Sequence, residues 1–228
     1  MHPLDNPAWT ALTTHQADVA LGAELARRFP PDMAVHGAMA AVTNEAFASL
    51  SQMAAEPVGL FFSELPQLPA GWTITRQLRM IQMLHEHQET PGISLAPSAM
   101  IAELSTNDLP EMIGIYEVTR PGRTMARRIQ QLGLFLGIRD AGKLVAMAGM
   151  RLHLPGYREI TTVATHPDHL SRGYATALVA ELVCRIRAVG EQPFLHVRDD
   201  NARAIQIYKR LGFRERTRFD YVAVKYVP

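Results

Sequence analysis

The stretch best equipped for chemistry is Glu159–Val189, EITTVATHPDHLSRGYATALVAELVCRIRAV. It opens with Ile160, Thr161, Thr162, Val163 and Thr165. Branched side chains fit a pleated surface, so a strand is predicted there. Pro167 and Asp168 mark a turn. Leu170, Ser171, Arg172, Gly173, Tyr174 and Ala175 then form a loop that opens into a helical pattern. Ala175, Leu178, Val179, Leu182 and Ile186 recur at helical spacing, and Gly190 supplies the stop. Strand, glycine turn and helix in this order make an anion site. The first N–H groups of the helix lack intrahelical partners, and the helix dipole adds partial positive charge there. Gly173 has no Cβ, so a ligand can approach its backbone. The same pattern also describes an ordinary βα connection, and the loop by itself does not choose between the two.

A second set of residues lies downstream. Asn201 reads as the N-cap of a helix reaching Leu211, with Gly212 as its stop. Asn201, Ala204 and Tyr208 fall on one helical face, which sets a polar head, a small residue and a phenol along one wall. Tyr208 reads either as a group facing a ligand or as a core aromatic with a bonded hydroxyl. Glu159 begins the predicted strand as an acid–base candidate, or as a solvated residue after the Pro155-Gly156 turn. Glu117 is a second carboxylate to consider. His166 and His169 flank a turn, and His85 and His87 flank Glu86, but neither set has a metal-ligand spacing, so no metal is expected. Cys184 shares a small-residue helical face with Ala177, Ala180 and Ala188, which points to close packing. Met147 and Met150 read as core or pocket lining.

These blocks resemble the GNAT superfamily of acyl-CoA-dependent N-acyltransferases. That family carries an Arg/Gln-x-x-Gly-x-Gly/Ala signature after its fourth strand. Here it runs from Leu170 to Ala175, and Leu170 departs from the first position. The more specific block is Asn201-x-x-Ala204-Ile205-x-x-Tyr208-x-x-Leu211-Gly212-Phe213, preceded by Phe194-Leu195-His196-Val197. The resemblance implies an enzyme using acetyl-CoA as co-substrate, with direct transfer to an amine on a small molecule, amino acid or peptide. By the same resemblance the backbone of Val163, Ala164 and Thr165 holds the pantetheine arm. The segment Leu170, Ser171, Arg172, Gly173, Tyr174, Ala175 and Thr176 holds the pyrophosphate. Asn201 and Ala204 line the arm, Tyr208 protonates the departing thiolate, and Glu159 deprotonates the amine. The alternative is a catalytically silent CoA-binding or interaction module of the same fold; Gly173, Asn201 and Tyr208 favour the enzyme, and the Leu170 departure keeps the module open.

The elements that must position these residues follow from the rest of the chain. The 228 residues are 47% hydrophobic and 20% charged, enough for one large or two small cores. A net charge of +1 without a basic run excludes nucleic acid and anionic membrane as evident partners. The single cysteine fits a reducing cytoplasm. The N-terminus has no signal-peptide pattern, and no apolar run is long enough to span a bilayer. A homodimer is compatible with the sequence.

Residues 1–92 are expected to form an α+β extension and residues 93–228 the GNAT-like domain, a mixed, centrally splayed sheet flanked by helices. Within the extension, Ala17–Arg28 and Arg76–His87 read as helices, and Asn44 as the cap of another reaching about Ala55. Val58–Phe62 and Trp72–Thr75 read as strands. The boundary is set at Gln88–Gly92, where polar residues meet a Pro-Gly pair. In the domain, Ala99–Leu104, Leu134–Ile138, Lys143–Leu154, Glu159–Thr165 and Pro193–Val197 are predicted strands. A helix through Leu109–Tyr116 is predicted, with a second piece over Arg123–Gln131. Phe213–Arg218 and Phe219–Val227 are expected as two closing strands.

Overall fold

The computed structural model describes residues 2–86 and 100–228. In chain order it contains α1 (Pro7–Thr13), β1 (Leu21–Gly22), β2 (Ala26–Arg28), β3 (Gly37–Met39), α2 (Asn44–Ser51), β4 (Val58–Phe62) and β5 (Trp72–His85). There follow β6 (Met100–Glu103), α3 (Leu109–Thr119), β7 (Phe135–Asp140), β8 (Lys143–Leu154), β9 (Tyr157–Thr165), α4 (Tyr174–Ala188), β10 (Gln192–Arg198), α5 (Ala202–Arg210) and β11 (Phe213–Tyr226). β1, β2 and β3 form a small sheet. The other strands form one eight-stranded sheet in the order β4-β11-β5-β10-β9-β8-β7-β6. Its strand pairs are antiparallel except β9 with β10, which the α4 crossover makes parallel. This is the mixed sheet flanked by helices that the sequence predicts.

Local chemistry explains the meander from β6 to β9. Ala141 (φ 48°) and Gly142 (φ 80°) both take the left-handed conformation. A two-residue hairpin of the twist-matching type requires this at both central positions, and here it joins β7 to β8. Both faces of the sheet are covered. Phe194 and Leu195 are adjacent on β10 and so point to opposite faces, yet both are buried. On one face Leu195 packs in a core with Leu178, Leu182 and Ile186 of α4. On the other, Phe194 packs with Leu4, Leu12 and Phe29 from the N-terminal region.

The N-terminal half differs most from expectation. Arg76–His87 is not helical. Residues through His85 belong to β5, which pairs with β11 along its whole length and with β10 from Met80 to Leu84. Leu78, Ile81 and Leu84 mimic helical spacing, but residues 75–80 alternate between exposed and half-buried with period two. Pairing on both edges decides the matter for the strand. Ala17–Arg28 is also not a helix. Gly22 (φ 96°) interrupts it, and β2 pairs back onto β1. Thr43, not Asn44, caps α2, accepting from the Ala46 N–H. The piece expected over Arg123–Gln131 shrinks to a single 3-10 turn at Ile129–Leu132. The two closing strands are one strand, β11, with a bulge-like irregularity between Glu215 and Thr217. The expected division between residues 92 and 93 lies outside the described residues, as do His87 and the Gln88–Gly92 turn. The sheet draws strands from both sides of that division. No described helix is long and apolar enough to cross a membrane.

Candidate active site

β9 and β10 pair only from Tyr157/Gln192 to Ile160/Leu195. Beyond Ile160 the strands part, although β9 continues to Thr165 and β10 to Arg198. A bulge drives the divergence. Ala164 faces Met147 and Thr161 faces Gly149, so β9 carries an extra residue against β8, and Thr162 adopts φ 54°. Ala164 and Thr165 therefore pair with β8 on one side, while their other side faces a gap. The gap opens into a cleft of about 860 Å³ lined by Ile160–Thr165, Leu170–Thr176, Asn201, Ala204 and Tyr208. The structure thus brings the expected cofactor-binding residues and Tyr208 to one cleft.

The loop before α4 has the backbone geometry of an anion site. Ser171 (φ 64°) and Gly173 (φ 79°) are left-handed, and Gly173 caps α4 without a side-chain hydrogen bond. The first N–H groups of a fifteen-residue helix are thus left without a side-chain partner at the cleft wall. Arg203 of α5 donates to Ser171 Oγ at 3.3 Å, and Arg172 pairs with Asp140 at 3.0 Å. Leu170, where the family signature has Arg or Gln, is exposed.

Asn201 is the N-cap of α5, its side chain accepting from the Ala204 N–H at 3.2 Å. It also lines the cleft, so the capping bond does not take it away from that wall. Tyr208 is 8% exposed and packs in the main core. Burial pushes its phenol up to about 12, against a smaller opposing pull from the Arg120 charge. Its hydroxyl meets no protein hydrogen-bond partner among the described residues, and its ring lines the cleft.

Glu159 does not line the cleft, contrary to its expected place beside the acceptor. It is 1% exposed. Arg151 grips it with two bonds, Nε to Oε2 at 2.9 Å and Nη2 to Oε1 at 2.8 Å. The Leu152 N–H donates to it at 3.3 Å, and His196 Nδ1 lies 2.9 Å from Oε1. Burial opposes its charge, but Arg151 and His196 outweigh burial and hold the carboxyl well below the usual range. A carboxylate so deeply held is a poor base, and this one sits behind Arg151 and His196, which do line the cleft. Gln82 fixes the histidine's tautomer. Its Oε1 accepts from Arg216 at 3.0 Å, so its Nε2 faces His196 Nε2 at 3.2 Å as a donor. His196 therefore accepts at Nε2 and donates from Nδ1 to Glu159.

The other end of the cleft comes from residues that sequence reasoning missed. Phe61 of β4, Tyr221 of β11 and Leu78 of β5 lie opposite one another in register. Arg76, Leu78 and Met80 follow at period two on the same face of β5. Phe61 stacks on His196 at 4.5 Å and on His36 at 5.6 Å. His36 is buried with Nδ1 unpartnered, and burial, reinforced by the Arg151 charge, holds it well below its ordinary value. Arg120 at the end of α3 donates to Val163 O at 3.1 Å, with its guanidinium 4.9 Å from the Tyr116 ring centroid. Hairpin geometry around Pro155-Gly156 offered one signal, because it sets Arg151 near Glu159 across the turn. The rest depends on strand order.

The residues present fit acetyl-CoA. A strand edge without a partner suits an extended amide-bearing arm, and a left-handed loop before an uncapped helix suits a diphosphate.

Comparison with known proteins agrees with this geometry. The FR47-like protein family profile matches residues 135–222. A solved structure from Novosphingobium aromaticivorans, assigned to the GNAT family of acetyltransferases, is 31% identical over 100% of both chains, with a TM-score of 0.89. A GCN5-related N-acetyltransferase from Kribbella flavida shares the fold at a TM-score of 0.64, with 18% identity over 95% of each chain. Mycothiol acetyltransferase from Mycobacterium sp. (strain MCS) is 29% identical over 63% of this chain, which spans only 54% of that protein. The splayed strands, the uncapped helix and a relative matched end to end lead to one assignment: this chain belongs to the GNAT superfamily of N-acetyltransferases.

Proposed function

We propose that the protein transfers an acetyl group from acetyl-CoA directly to the amine of a small molecule or peptide. The gap between β9 and β10 beyond Ile160, ending at the uncapped N-terminus of α4, is the observation that carries this reading. Acetyl-CoA supplies the activated acetyl thioester.

The backbone of Val163, Ala164 and Thr165 offers the edge that β10 leaves unpaired to the pantetheine amides, with Val163 O shared with Arg120, and residues 170–176 offer N–H groups to the pyrophosphate. Asn201 and Ala204 wall the arm. Tyr208 holds its proton at Oη throughout the neutral range and faces the cleft, placed to donate to the leaving sulfur. A phenol near 12 is a weak acid beside a thiol near 8.5 in water. The burial that raises the phenol acts in the same direction on a thiol beside it, which narrows the mismatch. Glu159 orients Arg151 and His196 instead of meeting the amine, a positioning role. Cys184 lies in α4 and does not line the cleft, in keeping with transfer without an acyl-enzyme.

The exposed Leu170 favours a second reading, a CoA-binding module without turnover. Calorimetry with acetyl-CoA and a thiol-release assay across an amine panel separate the two. Binding with release supports the enzyme, binding without release supports the module, and no binding overturns both.

A further inference from the structure

Resting on the transfer reading above, we infer that the acceptor is an amine bearing an anionic group next to its nitrogen, a carboxylate of the free amino acid kind, held by Arg76, Arg120 and the open face of Arg151. Among the described residues, no Asp or Glu side chain lines the cleft. Arginines do. Arg76 is half-buried and has no ion-pair partner among the described residues. Arg120 bonds only to neutral oxygens, Thr119 Oγ1 and Val163 O, and stacks on Tyr116. Arg151 turns Nε and Nη2 to Glu159 and leaves Nη1 without a protein partner among the described residues.

A guanidinium withdrawn from water without an anion is unfavourable, and the cleft offers none of its own at this end. The arginines of the cofactor loop have separate work. Arg172 and Arg203 sit at the α4 N-terminus, whereas Arg76 lies on β5, two strands from β9 in the sheet order. Arg76 lies opposite Ala223, diagonal to Tyr221 on the same sheet face and near enough for its charge to act on that phenol; Tyr221 packs with His36 and Phe61, so Arg76 belongs to the end away from the loop.

The charge pattern also sorts acceptors. An amine arrives as an ammonium ion, and a cleft rich in arginine and free of carboxylate repels a plain cation. An adjacent carboxylate offsets that repulsion and matches the guanidinium fork. Once the carboxylate is seated, the same positive field favours loss of the ammonium proton, so no carboxylate base is needed in the cleft. Arg120 ties this end to the transfer site, because the oxygen it binds is on the free stretch of β9. His36, held neutral by burial and by Arg151, adds no charge of its own.

The test uses the full chain and three matched series: free L-amino acids, their carboxamides with the decarboxylated amines, and O-phosphoethanolamine. Thiol release with acetyl-CoA gives kcat and KM, and the melting temperature with each amine alone gives binding without turnover. The free amino acids should surpass their carboxamides by on the order of fifty-fold in kcat/KM, the scale of a charge-assisted fork. Arg76→Gln should raise KM for the acid, leave kcat nearly intact and close the gap to the amide, and Arg76→Lys should restore part of it. A response to O-phosphoethanolamine alone would keep the anion site and replace the carboxylate by phosphate. Equal use of carboxamides, or no response to any anionic amine by either readout, overturns the inference. Calorimetry with CoA on the same preparation tells the failures apart: bound CoA with no anion preference removes this inference alone, and absent CoA binding removes the transfer reading itself.

Discussion

Glu159→Gln distinguishes a positioning carboxylate from a catalytic base. The carboxylate accepts four donors: Arg151 Nε, Arg151 Nη2, the Leu152 N–H and His196 Nδ1. Glutamine keeps the shape but loses the charge, and one acceptor oxygen becomes an NH₂ aimed at another donor. Arg151 is then left as a nearly buried cation without its counter-ion. Removing one partner of a buried pair costs about 3–5 kcal/mol. For a chain of this size, each kcal/mol moves the melting temperature by about 2–4 °C, so the variant should melt about 10 °C lower by circular dichroism. The sign of the pH dependence follows from the depressed folded pKa. This carboxylate's contribution is fully present above its unfolded value of about 4.3 and fades as pH falls toward the folded one. Between pH 6 and 9 the group does not titrate, so the acidic limb of the rate profile should survive the substitution. A variant that melts with the wild type yet loses that limb and about a hundredfold in kcat would refute the reasoning and restore Glu159 as the base.

Tyr208→Phe keeps the packed ring and removes only the hydroxyl, so turnover should fall about a hundredfold with little change in melting temperature. Full turnover with a lower melting temperature would make Tyr208 a core residue only. Gly173→Val forces a branched side chain into φ 79°, beside the helix N-terminus, and should weaken acetyl-CoA binding about tenfold or more by calorimetry. Unchanged affinity would move the pyrophosphate elsewhere. A chain starting at Ile93 loses β4 and β5, and with β5 the strand between β10 and β11. It should show no cooperative melting and no CoA binding, and a soluble fragment that binds CoA would contradict the shared sheet.

The site and the fold were legible in the sequence to different degrees. The C-terminal signals are local. Gly173, Asn201 and Tyr208 act through backbone conformation, capping and helical spacing, and each of these is set by residues a few positions away. The strands from Lys143 to Val197 and the helix between them read correctly for the same reason. β5 did not, because its apolar residues fit a helical spacing until partners on both edges supply a ladder. Glu159 shows the limit most clearly. Its position on a strand was legible, and so was Arg151 across the hairpin, but its burial and its bond to His196 depend on β10, 37 residues on. The end of the cleft away from the α4 loop draws on His36, Phe61, Arg76, Arg151 and Tyr221. The sequence by itself determined the family, one wall of the cleft and the phenol that lines it. Tertiary structure alone decided which charges meet in the cleft, because strand order, not sequence distance, makes neighbours of side chains across a sheet.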